Sequence, residues 1–506
     1  MWRRVASLVF PLVMCLASAA RAGAQGPAHP PVNDMVPRIE GFVRRAFETG
    51  ATPALGVAVV VDGRTVYERA LGQADASAGI SATPQTLWYV ASTSKSFTGF
   101  GVALLEHQRA LDLSAPITRV LPDARWHPDA NVSDLSLISF LTHTHGLDGT
   151  GPVVISAAFT GAFPESRFGE LTAYHAPLGS RDLRYSNFGY NVAAMAIAAR
   201  RPEGWKAFLR DQVYVPAGMR ATFATVSDVP AERIAKPHSF EADGRFVTQP
   251  FRKRDITMNA AGGHLATLAD LARWITVHMD EGLLDGRRVF PAAAVRRSHE
   301  NLGRQDARFA FFQRDGWGMG WDIGSYEGDP MVSRFGSYAT MRSHISFLSA
   351  RRVGVVAQVN GAPGWALTDV IAAYVYDVAA GRADADARGQ ARLAQVEQRL
   401  EQGKQARAQE TATRAGRQRP LPRPLSDYTG DFEHPAYGRM SWRVVRDTLR
   451  VTWGVLEGPA EVFNADSSQL RVEIRGSGDV VRFGFSGSGP ATEVRLGPVV
   501  LRRAPR

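Results

Sequence analysis

Cysteine is nearly absent from this chain. Cys15 is the single cysteine among 506 residues, so no intramolecular disulfide can form. Charged residues make up only 21% of the chain and apolar residues 45%, which excludes a disordered protein and is typical of a folded one. A chain of this length exceeds what one ordinary core supports, so we expect two or three domains.

Long apolar segments are also scarce. The apolar run from Val5 to Ala19 is short for a transmembrane helix, and Pro11 interrupts it. Two arginines precede the run, and the small residues that follow it are Ala20, Ala22 and Ala24. This pattern predicts a cleaved secretory signal over residues 1–24 and a periplasmic or secreted protein with no stable membrane anchor. A membrane anchor and a lipid-modified Cys15 are the alternatives.

The excess positive charge is confined to one segment. The net charge is +10, and between Arg388 and Arg423 nine basic residues stand against three glutamates. Because the region before this segment is close to neutral, the basic balance does not indicate nucleic-acid binding. We expect a small-molecule or peptide substrate and no nucleic-acid partner, and the oligomeric state is left open.

Hydrophobic periodicity indicates a mixed α/β domain over residues 25–380. Apolar residues recur at helical spacing from Met35 to Thr49. Two apolar extended runs then flank Asp62-Gly63, which is typical of a β-hairpin. Further on, the pattern predicts a helix at Phe97–Arg109, a buried strand at Val353–Val359 and a closing helix at Leu367–Ala380.

The composition changes twice after residue 380. Residues 381–424 are rich in Gln, Arg, Ala and Glu and end in three closely spaced prolines, which predicts a solvated helix followed by an extended tether. Residues 425–506 predict a small antiparallel β-barrel or sandwich domain. Its alternating strands are Met440–Val445, Thr448–Trp453, Gln469–Ile474, Val480–Phe485 and Thr492–Leu496.

A Ser-x-x-Lys tetrad, Ser92 to Lys95, carries the first chemical signal. On a helix it places the serine and the lysine one turn apart on the same face. A serine hydroxyl is a weak nucleophile until a base removes its proton, and a desolvated lysine is such a base. Four-residue patterns of common residues also occur by chance, and taken alone this one is better explained as a helix start capped by Ser92.

Further motifs follow the tetrad. They are Leu141-Thr-His-Thr-His-Gly-Leu147, Tyr185-Ser-Asn187-Phe-Gly-Tyr190, Pro216-Ala-Gly-Met219 and Ala261-Gly-Gly263. With them, residues 35–380 closely resemble the serine beta-lactamase and penicillin-binding-protein superfamily, on the class C side that includes esterases and D-amino-acid peptidases. The resemblance implies a central antiparallel sheet with a helical subdomain, and hydrolysis without a cofactor. The C-terminal segment resembles the small β-domain often appended to these hydrolases.

The resemblance also implies roles for individual residues. Ser92 is expected to be the acylated nucleophile, Lys95 its proton-handling partner and Tyr185 a proton relay to the leaving group. Asn187 is expected to bind substrate and orient Lys95. Because a tyrosine with a pKa near about 10 is a poor base at neutral pH, Tyr185 needs the neighbouring charge of Lys95.

Three histidines near these motifs invite a metal-site or Ser-His interpretation. They are His143, His145 and His264. The resemblance favours packing roles for them instead, and no spacing in the chain resembles a zinc site. We therefore expect no metal.

One family motif departs from its usual form. A lysine or histidine followed by Thr-Gly is expected on the strand beside the active site, where our alignment gives Ser337-Tyr338-Ala339-Thr340. We therefore expect the cation to be absent, Tyr338 to add bulk, and a backbone N–H of Ala339 or Thr340 to complete the oxyanion hole. Arg342 is either a replacement cation or a solvated strand residue.

These features favour an exported serine hydrolase that acts on esters or amides, including D-amino-acid peptides. A true beta-lactamase is less favoured because its substrates carry a carboxylate and the expected cation is missing. A catalytically weak peptide- or peptidoglycan-binding protein is the alternative that the altered motif leaves open. So is an acyltransferase, which differs only in the nucleophile that accepts the acyl group.

Overall fold

The computed structural model describes residues 29–250, 252–417, 420–475 and 478–505. The predicted secretory signal at residues 1–24 lies outside them. Within the described ranges, none of the helices combines the length and the hydrophobicity needed to cross a bilayer.

The N-terminal three quarters of the chain form a mixed α/β unit, as the sequence predicts. Its helices are α1 (Val32–Glu48), α2 (Ser94–His107), α3 (Ile117–Val120), α4 (Leu137–Leu141), α5 (Pro152–Ile155), α6 (Phe168–Leu171), α7 (Phe188–Ala198), α8 (Gly204–Leu209), α9 (Leu268–Met279), α10 (Ala292–Ser298) and α11 (Trp365–Ala379). Its strands are β1 (Ala54–Val61), β2 (Arg64–Asp75), β3 (Ile80–Ser81), β4 (Trp88–Tyr89), β5 (Thr222–Phe223), β6 (His238–Phe240), β7 (Phe246–Thr248), β8 (Leu265–Ala266), β9 (Leu283–Leu284), β10 (Arg287–Arg288), β11 (Gly303–Phe309), β12 (Phe312–Trp317), β13 (Asp322–Tyr326), β14 (Asp329–Tyr338), β15 (Met341–Leu348) and β16 (Val353–Val359).

A nine-stranded antiparallel sheet, in the order β11-β12-β13-β14-β15-β16-β1-β2-β3, is the core of this unit. Every residue of β1 is buried, because helices cover both faces of the sheet. Successive side chains alternate between the two faces: Val57 and Val59 pack towards α1 and α11, whereas Ala58 and Val60 join the core on the α2 and α9 side. On the first face, the rings of Phe42 and Tyr374 stack at 3.8 Å.

Segment 381–424 differs from its sequence prediction. It contains one long helix, α12 (Ala385–Gly416), whose first half is packed rather than solvated. Arg388, Arg392 and Arg382 all approach the carboxylate of Asp377 on α11, at 3.2, 2.8 and 3.3 Å. Asp377 has no exposed surface. A buried carboxylate recruits cations, so the basic composition of this segment serves packing as well as solvation.

The C-terminal segment forms a closed eight-stranded antiparallel barrel, in which β24 pairs with β17. The sequence predicted a barrel or a sandwich, and the barrel is what forms. Its strands are β17 (Gly430–His434), β18 (Gly438–Val445), β19 (Thr448–Trp453), β20 (Leu456–Asn464), β21 (Gln469–Val472), β22 (Asp479–Phe485), β23 (Ala491–Leu496) and β24 (Val499–Arg503). Inward-facing aromatic residues fill the interior, including Tyr428, Phe432, Trp442, Trp453 and Phe483. The domain boundaries at 380/381 and 424/425 stay predictions.

Replacing Asp377 tests the joint between α11 and α12. Asp377→Ala leaves Arg382, Arg388 and Arg392 without their shared partner, so the free energy of unfolding should fall by about 3–5 kcal/mol. Urea unfolding followed by tryptophan fluorescence measures this change. As a control, Asp211→Ala removes an exposed carboxylate that pairs only with its neighbour Arg210, and should leave the midpoint nearly unchanged. If the two variants unfold at the same urea concentration, the ion pairs to Asp377 do not stabilise the packing of α12 on α11.

Candidate active site

Ser92 lies in a tight turn between β4 and α2. The turn is one 3-10 segment, Ala91–Thr93, and α2 begins directly after it at Ser94. Ala91 has a φ of +47°, a left-handed conformation that is unfavourable for a residue with a Cβ. Strain of this kind is common at functional sites, where the surrounding structure holds it in place. The turn presents the Ser92 hydroxyl above the first turn of α2.

The amine of Lys95 lies below that hydroxyl. Its Nζ donates to Ser92 Oγ at 3.1 Å, to Asn187 Oδ1 at 2.7 Å and to the carbonyl oxygen of Ala261 at 2.6 Å. Lys95 is fully buried. Burial, followed by the positive charge of Arg334, lowers the pKa of Lys95 well below its usual value. A neutral amine next to a hydroxyl can accept that hydroxyl's proton.

Tyr185 contacts the same hydroxyl from the side of the cleft. Its Oη donates to Ser92 Oγ at 2.7 Å, while the Nη2 of Arg334 donates to this Oη at 3.0 Å. The Nζ of Lys95 lies 4.8 Å from the centre of the tyrosine ring. Tyr185 is 47% exposed, so its hydroxyl is accessible to a bound substrate. The four residues that the sequence singled out are therefore linked by hydrogen bonds: Tyr185 to Ser92, and Lys95 to both Ser92 and Asn187.

Arg334 on β14 is the residue that the sequence analysis missed. Besides Tyr185, it donates through Nε to the carbonyl oxygen of Ser92 at 3.0 Å and through Nη1 to Asp322 at 3.1 Å. Its guanidinium lies over the ring of Trp317 at 4.6 Å. Arg334 is 3% exposed, so these contacts hold it in place. A cation is thus present beside Ser92, contrary to the expectation from the third motif.

The difference arises from the register of β14. The strand passes the nucleophile at Gly336, where a Cβ would overlap the carbonyl oxygen of Val90 and lie 2.8 Å from the amide nitrogen of Ser92. Only glycine permits this approach. The cation lies two residues before that glycine, three residues upstream of where our alignment expected it. The signal that would have found it is Arg334-Phe335-Gly336, a cation spaced from a glycine as in the family motif.

The residues aligned to the third motif lie further along the hairpin. Ala339 and Thr340 form the turn between β14 and β15, with a φ of +51° at Ala339, and the carbonyl oxygen of Thr340 accepts from the indole of Trp365. The ring of Tyr338 lies between those of Phe159 and Tyr89, each 6.3 Å away. None of the three lines the cleft described next.

A cleft of about 370 Å³ opens at Ser92. It is lined by Ser92, Leu183, Tyr185, Asn187, Gln305, Phe309, Arg314, Trp317, Arg334, Phe335, Gly336, Ser337 and Arg342. Arg314 and Arg342 both lie over the rings of Phe309 and Phe335, with guanidinium-to-centroid distances from 4.2 to 5.6 Å. Stacking on aromatic faces holds a guanidinium while its N–H groups remain available to a ligand.

The cleft carries an excess of positive charge. Asp322 forms ion pairs with both Arg334, at 3.1 Å, and Arg314, at 3.3 Å. Arg342 pairs with Asp369 at 2.9 Å and donates to the Ser337 hydroxyl at 3.1 Å. Three guanidiniums therefore share two buried carboxylates. Arg342, which the sequence left undecided, is a cation of the cleft.

The three histidines have packing environments. The Nδ1 of His143 accepts from the amide of Ser186 at 3.1 Å, and that of His145 accepts from the amide of Leu147 at 3.1 Å. Burial lowers the pKa of His143 well below its usual value and lowers the pKa of His145 and His264 to about 3. Within the described ranges, no group of three or more His, Cys, Asp or Glu side chains is arranged to hold a metal ion.

Comparison with known proteins places these residues in a family context. The Beta-lactamase family model matches residues 39–380. Penicillin-binding protein 4 of Amycolatopsis lactamdurans is 25% identical over 318 residues, which cover 61% of this chain and 81% of that protein. The D-alanyl-D-alanine-carboxypeptidase/endopeptidase AmpH of Escherichia coli (strain K12) is 23% identical over 378 residues, which cover 71% and 92%.

Solved structures show the same fold at lower sequence identity. The octameric penicillin-binding protein homologue from Pyrococcus abyssi is 17% identical, with a TM-score of 0.60 over 92% of this chain and 99% of that one. The D-amino acid amidase from Ochrobactrum anthropi SV3, complexed with L-phenylalanine amide, is 20% identical, with a TM-score of 0.57 over 72% and 99%. The first match includes the C-terminal part of the chain, because it spans more than the α/β unit.

Removing the charge of Arg334 should shift the pH dependence of the site. In Arg334→Gln, Lys95 loses the neighbouring cation, so the pKa of Lys95 rises and a higher pH is needed to form the neutral amine. The acid limb of the kcat/KM profile should move to higher pH, and the maximum should fall about a hundredfold. Arg334→Lys keeps the charge and should keep the position of the limb. An unchanged profile in Arg334→Gln would show that this cation does not act on Lys95.

Proposed function

The chain belongs to the beta-lactamase family of serine hydrolases, and we propose that it cleaves amide or ester substrates through an acyl-enzyme on Ser92. The observation that carries this proposal is that Lys95 and Tyr185 both hydrogen-bond to the one hydroxyl of Ser92. Neutral Lys95 takes the hydroxyl proton as Oγ bonds to the substrate carbonyl carbon. A binding protein has no need of two proton carriers on one hydroxyl, which supports an enzyme over that alternative.

The tetrahedral intermediate needs donors for its oxyanion. The amide of Ser92 is one such donor, and the closeness of Gly336 favours the adjoining amide of Ser337 as the second. Collapse breaks the bond from carbon to the leaving nitrogen or oxygen, which takes a proton from Tyr185. Lys95 then passes to Tyr185 the proton that it took from Ser92, which restores both groups. In the second half, these groups take a proton from water as it attacks the acyl carbon, and they give that proton to Oγ as Oγ leaves.

The charge of the cleft favours a substrate that carries an anion. Arg314 shares Asp322 with Arg334, so the cleft holds one more cation than its carboxylates neutralise. A substrate carboxylate would complete this balance. We therefore propose peptides with a free carboxylate, including those ending in D-residues, whereas the missing cation of the third motif led us to expect poor recognition of a substrate carboxylate. The name of the relative AmpH supports substrates of this kind.

Export is part of the proposal. It is based on the N-terminal arginines and the apolar run Val5–Ala19, which precede the described residues. The substrate would then be met in the periplasm or outside the cell.

The first test is covalent labelling of Ser92. Wild-type protein should react with a fluorophosphonate probe at one site per chain, with the Oγ–P bond replacing the P–F bond. Ser92→Ala should lose both labelling and hydrolysis, whereas Ser114→Ala, at an exposed serine outside the cleft, should keep labelling. Intact-mass spectrometry measures the adduct, and circular dichroism checks the fold. An adduct that persists in Ser92→Ala would place the nucleophile elsewhere.

The second test compares two substrates that differ in one charge. Acetyl-D-alanyl-D-alanine should be hydrolysed with about ten- to a hundredfold higher kcat/KM than its C-terminal amide, because one charge-assisted hydrogen bond contributes roughly 1.5–3 kcal/mol. Arg314→Gln should reduce this ratio, while Arg308→Gln, at an exposed arginine on the neighbouring strand β11 and outside the cleft, should not. Equal hydrolysis of the two substrates by the wild type would refute the anionic preference and leave the acyl-enzyme proposal standing.

A further inference from the structure

The barrel touches the α/β unit at a backbone contact that tolerates no side chain. The turn between β19 and β20 contains Gly454 and Val455, and the amide of Val455 donates to the carbonyl oxygen of Thr160 at 2.7 Å. Gly454 has a φ of +59°, and a Cβ on it would overlap that same carbonyl oxygen. Thr160 ends a π-helical turn, Ser156–Thr160, which we call the seat.

The seat connects the barrel to Lys253. The ammonium of Lys253 donates to the carbonyl oxygen of Ala158 in the seat and, at 3.1 Å, to that of Thr257. Lys253 is 4% exposed, and burial lowers its pKa to about 7. Its Nζ lies 5.7 Å from the ring centre of Phe159, also in the seat. A buried lysine that joins two loops through their carbonyl groups fixes those loops relative to each other.

Lys253 and Phe159 in turn hold the end of β14. The Nζ of Lys253 lies 4.1 Å from the ring centre of Tyr338, and the ring of Phe159 lies at 6.3 Å from that ring with an angle of 28°. Tyr338 follows directly after Gly336 and Ser337, the residues that pass the nucleophile. A continuous set of contacts therefore runs from the barrel turn to the strand beside Ser92.

We propose that the C-terminal barrel positions a strand of the active site. Its Gly454 turn holds the seat, and the seat, through Lys253 and Phe159, positions the end of β14. Gly454 and Lys253 are positioning residues: neither lines the cleft at Ser92. This inference rests on the proposed function for its kinetic consequences. Its structural part, the coupling of the barrel to β14, stands apart from the reaction.

The test is Gly454→Ala in the full chain, with Gly497→Ala as the matched control. Gly497 lies in the turn between β23 and β24 with a φ of +56°, and a Cβ there would meet open space. Both substitutions cost the same backbone strain, but only the first displaces the seat. Gly454→Ala should lower kcat/KM and the rate of fluorophosphonate labelling about ten- to a hundredfold relative to Gly497→Ala, mainly through kcat. Hydrogen exchange should rise in residues 156–160 and 336–340 in this variant alone.

Two variants that leave the barrel turn intact keep the proposal testable if Gly454→Ala fails to fold. Lys253→Met and Phe159→Ala should produce the same kinetic loss and the same rise in exchange at 336–340, whereas Lys404→Met, at a half-buried lysine of α12 that pairs with Glu401, should not. Unchanged exchange and labelling in folded Gly454→Ala, or in both of the other variants, would overturn the proposal. Failure of the wild type to label would instead refute the proposed function, while the exchange results would still decide the coupling.

Discussion

The amine of Lys95 lies in a fully buried position, and the surrounding structure must supply a partner for each of its protons. Those partners come from three separate parts of the chain: the turn before α2, the start of α7 and the loop that contains Ala261. Their convergence explains why the motifs are far apart in sequence and adjacent in space. The same burial lowers the pKa of Lys95, because water no longer stabilises its charged form, and this makes the neutral amine available.

The guanidinium of Arg334 dominates the electrostatics around Lys95 and Tyr185. Arg334 disfavours charge on Lys95 and donates to the hydroxyl of Tyr185, so in the proposed reaction it would also stabilise negative charge on that oxygen. Arg334 is held in place by an ion pair with Asp322, which also pairs with Arg314. Sharing one carboxylate between two guanidiniums leaves the cleft positive at moderate desolvation cost, since each cation also stacks on an aromatic ring. The anionic substrate group that we propose would balance this charge.

The two C-terminal additions are joined to the α/β unit by different physical means. The helix α12 uses ion pairs to one buried carboxylate, Asp377, and the barrel uses backbone contact at the seat and apolar contact through Ile155 and Phe159. The ion pairs between α12 and Asp377 contribute to the free energy of unfolding. Contacts from the barrel continue through Phe159 and Lys253 to the end of β14, the strand beside Ser92.

Local patterns in the sequence determined a large part of this molecule. Alternating and helical periodicities located β1, α2, β16 and most barrel strands, and amino-acid composition marked a change at residue 381. Both signals depend on residues that are neighbours in the chain. The tetrad and the Tyr185-Ser-Asn187 motif, read through the family resemblance, singled out four residues that the structure links by hydrogen bonds. The role of Arg334 was decided only in the tertiary structure, since it depends on which residue of β14 passes Ser92, and a strand register is set by packing across the sheet. The seat of the barrel on Thr160 was equally invisible, because a contact between residues almost 300 positions apart leaves no local pattern.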